Sequence, residues 1–508
     1  MVGTLPRRVA FRVDGGTVIG SGHVVRCLAL AHELRALGRE VHFICRPHDG
    51  HLGAAIEAKG FRLHLLPAGD ASVAAPEARW LGADWRQDAD ETARVLGGVR
   101  PEWLVVDHYG IDERWETVQA PHAARLLVID DLANRPHRAE WLVDQNLQPR
   151  PDRYRDRVPA GCRLLLGPRH ALLRKAFREQ ASRLPARDGA VRRMLACVGG
   201  ADPQGVLPRI LDAWQALGPE RPALDIAVGA HSPKLALLRA RCSALPGCTL
   251  HVDSEDIASL MAEADLLVCA AGTINWERCC LALPAVMTEI AANQRDNLRL
   301  LARQRTGVSI GRAEALAAAD LAALLQRLLA RPSLLKRMGQ RCARLVDGLG
   351  AFRVAAAMSA DDVALRPARE SDGEAAWAWR NAESTRRYFT DPRPLPLARH
   401  LDWWHAAVAD PRRSLLIAHL GATGIGVVRL DHEDDAATVS IYLDPALTGL
   451  GLGAPLLDAA RRWTAERCTG PRRLRAVIDP RNHASRRAFA AAGFHEEGAH
   501  WVREARDD

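Results

Sequence analysis

Between residues 7 and 350 the chain switches hydrophobic period repeatedly, from short apolar runs to helical stretches, and few folds accommodate that rhythm. Apolar runs fall at 9–13, 41–45, 103–107, 126–130 and 141–144, and a second series at 194–198, 224–228, 249–252 and 266–269. Runs of Val, Ile and Leu without polar alternation are buried on both faces, which requires a parallel sheet covered by helices on each side. Two series predict two doubly wound α/β domains in tandem, over residues 1–177 and 178–350, with a polar Arg- and Pro-containing stretch at 178–193. The Ala/Leu-rich segment 315–329 reads as a packing helix. Ligands of such domains bind at the carboxyl ends of the strands.

At 508 residues the chain exceeds a single core, and its 48% hydrophobic and 26% charged residues are ordinary for a globular protein. No apolar run reaches membrane-spanning length, and the opening MVGTLPRRVAFRV enters a strand without a signal-peptide core. A cytoplasmic protein without membrane insertion is expected. The 11 cysteines are scattered with no C-x-x-C pair, so neither a disulfide framework nor a metal site is expected. The formal charge of +8 is unevenly placed: 21 basic and 21 acidic residues from 362 onward, but 48 against 40 before it. An excess on the first part suits an anionic substrate such as a nucleotide sugar. No basic stripe with interleaved aromatics is present, which argues against nucleic acid as a partner.

Several loops at strand ends carry chemistry. Gly15, Gly16, Gly20 and Gly22 deliver His23 to the start of a helix. Glycines permit close backbone approach, helix N-terminal amides attract phosphate, and a histidine there can serve as a general base. Tyr109 follows the strand at 103–107 in VVDHYG, and Gly199 and Gly200 follow the strand at 194–198. Gly272 and Thr273 precede a helix bearing Glu277, and Asn293 and Gln294 follow an apolar run at 285–289. A helix start with small residues suits a diphosphate, and a glutamate a few residues on can accept from ribose hydroxyls. Each loop alone is an ordinary turn; four at strand ends of paired domains read as a site.

The pattern changes beyond about residue 359. A strand at 363–367 leads to helices carrying Trp377, Trp379, Trp403 and Trp404, then antiparallel strands at 415–419 and 426–430. The strand at 439–443 runs into Gly449-Leu450-Gly451-Leu452-Gly453 and a helix at 454–467. After a strand at 474–478, Asn482 opens a helix that ends at Gly493. Strand, glycine loop and helix start in this order suit a pyrophosphate, without the acidic residue of a dinucleotide fold.

The motifs IGSGHVVRCLALAHEL, VVDHYG, VDQN, VGGADP, AAGTINWE and ANQ, in this order, resemble the UDP-sugar hydrolases of pseudaminic acid biosynthesis over about residues 7–350. That family is similar in fold to two-domain GT-B glycosyltransferases. The resemblance implies that His23 activates water against the anomeric carbon and releases UDP with inversion. Tyr109 matches the active-site tyrosine, Asn293 the asparagine beside the leaving group, and Glu277 the residue holding the uridine ribose. Gly20, Gly22, Gly199, Gly200, Gly272, Thr273 and Gln294 are the implied substrate-binding positions. His170 stands where an aromatic such as tyrosine is expected, and a helix-cap or packing role suits it.

Residues 362–503 resemble the GNAT acetyltransferases, with Trp379-Arg380-Asn381 and Asp402-Trp403-Trp404 similar to the amino-sugar N-acetyltransferase of the same pathway. The implied cosubstrate is acetyl-CoA. Leu450, Gly451 and Gly453 would offer amides to its pyrophosphate, Leu443 would line it, and Asn482 would contact the pantetheine arm. Two residues depart from the pattern: Thr448 replaces an Arg or Gln, and Phe489 replaces the tyrosine that protonates the thiolate. The expected protein is two Rossmann-like domains followed by a GNAT domain at 362–508. Its expected function is to acetylate a 4-amino UDP-sugar and then hydrolyse the diacetamido product to sugar and UDP. A glycosyltransferase with an accessory acyltransferase, or a hydrolase with a non-catalytic CoA-binding module, are the alternatives.

Overall fold

The computed structural model describes residues 7–69, 80–147, 152–200, 202, 204–433, 435–467 and 473–505. The chain divides into two compact units, the first Met1–His32 with Arg39–Ala351 and the second Glu33–Gly38 with Phe352–Asp508.

The first unit holds two parallel sheets. Strands β1 (Arg8–Val13), β2 (Glu40–Cys45), β3 (Arg62–Leu65), β4 (Trp103–Asp107), β5 (Arg125–Ile129), β6 (Trp141–Asp144) and β7 (Arg163–Leu166) form one sheet in the order β3-β2-β1-β4-β5-β6-β7. Every residue of β4 is buried, as a strand covered on both faces requires. Phe11 and Phe43 stack across β1 and β2 with ring centroids 5.0 Å apart, and burying each contributes roughly 1.5–3 kcal/mol. Strands β8 (Arg193–Cys197), β9 (Ala223–Val228), β10 (Cys248–Val252), β11 (Leu266–Ala270), β12 (Ala285–Glu289) and β13 (Gly307–Arg312) form the second sheet in the order β10-β9-β8-β11-β12-β13. The strand order reverses between β1 and β4 in one sheet and between β8 and β11 in the other. At such switch points the loops diverge and leave room for a ligand.

The polar stretch after residue 177 is not a free connector. The helix Lys175–Arg183 runs into it, and Ala171, Leu173 and Phe177 are buried in the core of the second sheet. Phe177 is its one buried anchor, which is why the segment looks polar. Arg187 donates to the carbonyls of Leu281, Met261, Ala262 and Ala264 and holds the rest of the stretch against the domain.

In the second unit, β14 (Ala364–Pro367), β15 (Arg413–Leu420), β16 (Thr423–His432), β17 (Ala436–Leu443), β18 (Arg473–Ala476), β19 (His495–Glu497) and β20 (His500–Glu504) form one sheet in the order β14-β15-β16-β17-β18-β20-β19. The first four strands are antiparallel neighbours, and β17 and β18 run parallel. That pairing covers only Ala436–Thr438 against Arg473–Arg475, so among the described residues positions 439–443 have no ladder partner on the β18 side. On their other edge they stay bonded to β16 as far as Leu443 opposite Gly426.

Candidate functional site

The glycine loop after β1 closes on itself, with Gly20 N donating to Gly16 O at 2.7 Å. Gly16 is required by crowding: a Cβ there would lie 2.7 Å from the carbonyl oxygen of Asp49. Gly20 has φ +83°, a left-handed conformation that favours glycine, and a Cβ on Gly20 or Gly22 would meet only open space. The helix Gly22–Ala36 starts at this loop and places His23 with 8% of its surface exposed.

Asp107, at the end of β4, is the partner of His23. Its Oδ1 lies 2.6 Å from His23 Nδ1, and the same carboxylate accepts from Arg26 Nε at 2.6 Å and Arg26 Nη2 at 2.5 Å. Burial alone would raise the Asp107 pKa, but the charges of Arg26 and His23 hold it well below the usual carboxylate range. A carboxylate can only accept, so Nδ1 of His23 carries a proton, and in the neutral form of the ring the lone pair is on Nε2. No hydrogen bond engages that Nε2 among the described residues.

Arg26 extends the cluster, donating from Nη1 to Asp131 Oδ2 at 3.0 Å, and Tyr109 donates its hydroxyl to Asp131 Oδ1 at 2.6 Å. Burial first, and Asp131 next, push the Tyr109 phenol well above its ordinary pKa, so it keeps its proton. The Tyr109 ring meets His23 edge-on at 4.6 Å and lies 5.3 Å from Trp80. His108, between Asp107 and Tyr109, accepts from Gly110 N on Nδ1 at 3.0 Å and places Nε2 3.2 Å from the Trp80 carbonyl. Burial pushes its pKa down to about 4, so it is neutral.

Beneath the loop, Arg12 and Arg46 share Asp88, with Arg12 Nη2 and Arg46 Nη2 each 2.7 Å from Asp88 Oδ2. Asp14 Oδ1 accepts from Arg12 Nη1 and from the Arg46 amide, both at 2.7 Å. The arginines come from β1 and the end of β2, and Asp88 from the helix Trp85–Val99, which Asp84 caps by accepting from Arg86 N.

The second sheet gathers the remaining loops. Gly199 has φ +102°, and a Cβ on Gly199 or Gly200 would meet nothing within 4 Å. Asp202 accepts from Val206 N and Leu207 N at 2.8 and 3.0 Å and caps the next helix; its neighbours Ala201 and Pro203 lie outside the described residues. Gly272 and Thr273 lead into the helix Ile274–Cys280, and the Thr273 hydroxyl makes no cap. Their loop is held from below: Asn275 Nδ2 donates to Ala270 O and Gly272 O, and the fully buried Arg278 donates to Asn275 Oδ1 at 2.7 Å. Gln294 lies beside Gly272 and accepts from Ile290 N at 3.2 Å. Burial raises the Glu277 pKa, with Arg174 Nη2 3.8 Å away opposing the shift. Asn293 is exposed on the turn Ala292–Gln294. No hydrogen bond or ring contact joins it to His23 or Tyr109 among the described residues. His170 Nδ1 bonds Leu166 O at 3.1 Å from within the turn Pro168–His170.

Asp107, Arg26, Asp131 and Trp80 were not among the candidates from sequence. Asp107 had a signal, an acidic residue closing an otherwise apolar strand. The other three become visible only once β1, β4 and β5 are neighbours.

In the second unit, Leu443 ends the unpaired stretch of β17. Leu450 and Leu452 are buried, anchoring a loop in which Gly449 and Gly451 have φ +82° and +73°. Gly453 opens the helix Gly453–Arg467 and allows it to pack closely, since a Cβ there would lie 2.8 Å from Ala488 Cβ. Asn482 caps the helix His483–Ala491, accepting from Ser485 N at 3.1 Å. Phe489 is buried against Phe494 and Trp501. Splayed strands, a glycine loop and a 15-residue helix aimed from it fit a pantetheine arm and a pyrophosphate.

Fold and site together define a two-part enzyme: a tandem Rossmann-like pair with a histidine–carboxylate site, followed by an acetyltransferase-type sheet. Residues 362–495 match the acetyltransferase (GNAT) domain family. The chain is 25% identical over 272 residues to the UDP-2,4-diacetamido-2,4,6-trideoxy-beta-L-altropyranose hydrolase of Campylobacter jejuni, covering 53% of this chain and 86% of that one. It is 20% identical to an uncharacterised protein of Methanocaldococcus jannaschii over 96% of both chains. A crystal structure of MurG from Acinetobacter baumannii is 17% identical, covering 70% of this chain and 99% of that one with a TM-score of 0.48. The chain thus joins a hydrolase-related segment to a GNAT domain.

Proposed function

We propose that the first unit hydrolyses a UDP-linked diacetamido sugar to free sugar and UDP, and that the second N-acetylates its 4-amino precursor with acetyl-CoA. The hydrolytic half rests on one observation above others, the His23 ring oriented by Asp107 with Nε2 free to take a proton from water. Asp107 lies against the ring, and Arg26 is shared between Asp107 and Asp131, so the two carboxylates outnumber the guanidinium and leave a counter-charge for the imidazolium that forms. UDP is a good leaving group, and the Gly199–Gly200 and Gly272–Thr273 loops are the candidates for holding its diphosphate, with Glu277 on the ribose. Asn293 would sit beside the leaving group, and the Tyr109 oxygen, its proton held by Asp131, would accept from a sugar hydroxyl. The named Campylobacter relative acts on a substrate of this class. In the acetyltransferase half, the amides of Leu450, Gly451 and Gly453 would hold the pyrophosphate and the open edge at Leu443 the pantetheine.

Hydrolysis in water enriched in oxygen-18 tests the first half. Attack at the anomeric carbon puts the label on the free sugar; label in UDP would mean attack at phosphorus and would remove His23 from its role. UDP release only in the presence of a second sugar would support the glycosyltransferase alternative.

A further inference from the structure

An acetyl thioester attacked by an amine expels a thiolate whose conjugate acid, like a cysteine thiol, has a pKa of about 8.5. A positioned proton donor at the departing sulfur accelerates that step near neutral pH. Phe489 has no proton to give and is packed into the core. From residue 352 onward the sequence contains two tyrosines, Tyr388 and Tyr442. We infer that Tyr442 supplies the proton, and that the hydroxyl has moved from the helix to the strand that borders the thioester slot.

The placement of Tyr442 carries this inference. It lies in the stretch of β17 that has lost its β18 partner, one residue before Leu443. Its ring packs on the cluster of Trp404, Ile417 and Val427, with Trp379 beside it, and faces Phe389 edge-on at 6.1 Å. Among the described residues no hydrogen bond engages its hydroxyl, although the ring is partly buried. Two guanidinium groups act on it electrostatically, Arg380 and Arg429. Arg380 stacks on the Phe389 ring at 4.5 Å and leaves its Nη1 buried without a hydrogen-bond partner. Burial holds the phenol protonated through neutral pH, while the two cations would stabilise the phenolate left behind. The balance is complete. The amine nitrogen bonds the acetyl carbon as the carbon–sulfur bond breaks, and the Tyr442 O–H proton passes to sulfur. Attack by the neutral amine leaves the new amide nitrogen with one proton too many, and the phenolate recovers that proton, giving N-acetyl product and free thiol.

This inference rests on the acetyltransferase reading above. The test measures thiol release from acetyl-CoA by the full chain with the 4-amino UDP-sugar, alongside acetyl-CoA affinity by calorimetry. Tyr442→Phe keeps the ring, so it should bind acetyl-CoA within about twofold of the parent and lose about 100-fold in kcat. Tyr388→Phe should retain activity. Tyr442→Phe turning over within threefold of an active parent would overturn the assignment, as would loss of activity in Tyr388→Phe alone. A parent that binds acetyl-CoA but releases no thiol would sink the acetyltransferase reading and this inference with it.

Discussion

Replacing Asp107 by Asn keeps the size of the side chain and removes its charge, which isolates what the carboxylate does. Asp107 accepts from His23 Nδ1, from two nitrogens of Arg26, and from Cys27 Sγ at 3.4 Å. An asparagine offers one acceptor and one donor. With its NH2 toward His23, Nδ1 becomes an acceptor, the proton moves to Nε2, and the base is lost. With its oxygen toward His23, the NH2 opposes Arg26 and leaves a buried cation short of a partner. In a histidine–aspartate pair of this kind the wrong tautomer costs about 10⁴ in kcat, or about 5.4 kcal/mol at 1.36 kcal/mol per decade. Arg26 still holds Asp131, so the accompanying loss of stability should be roughly 2–4 kcal/mol. UDP release under saturating substrate, measured on protein shown by denaturant titration to be folded, gives kcat directly. A folded Asp107→Asn enzyme within tenfold of the parent would refute the orienting role.

His23→Asn should abolish UDP release and leave acetyl-CoA affinity unchanged, since the two proposed activities are assigned to different units; calorimetry and UDP detection on one preparation check both. Asn482→Ala removes a helix cap, at a cost of about 1 kcal/mol in that helix, and should weaken acetyl-CoA binding; an unaltered affinity would confine Asn482 to capping. His137 is buried between Asp130 and Glu116; burial opposes its charge, but those carboxylates raise its pKa to about 9. A raised histidine stabilises fully below its unfolded pKa of about 6.5 and loses that contribution as pH rises through 9, roughly 3 kcal/mol in all. The stability of the first unit to denaturant should therefore fall between about pH 6.5 and 9.5, and His137→Gln should flatten that slope.

Much of the architecture could be read from hydrophobic period, because buried parallel strands such as β11 are uninterrupted apolar runs and β4 is one up to its final Asp107. Edge strands could not. β3 reads Arg-Leu-His-Leu and is half exposed, so it carries neither a buried run nor a clean alternation. His23 and Tyr109 were legible because glycines and strand ends advertise them, and the structure brings their rings to 4.6 Å. Arg26 and Asp131 were not, since an arginine inside a helix and an aspartate after a strand are common surface residues until the strand order makes them neighbours. Phe489 was legible as a missing hydroxyl, but the phenol of Tyr442 needed the splay of β17 from β18 to be noticed.

The central claim is that one chain acetylates an amino sugar nucleotide and then cleaves the product. The most direct measurement incubates the purified protein with UDP-2-acetamido-4-amino-2,4,6-trideoxy-L-altrose, with and without acetyl-CoA, and follows thiol and UDP together. The account predicts that both appear, with UDP dependent on acetyl-CoA. UDP released at the same rate without acetyl-CoA, or neither product under either condition, would contradict it.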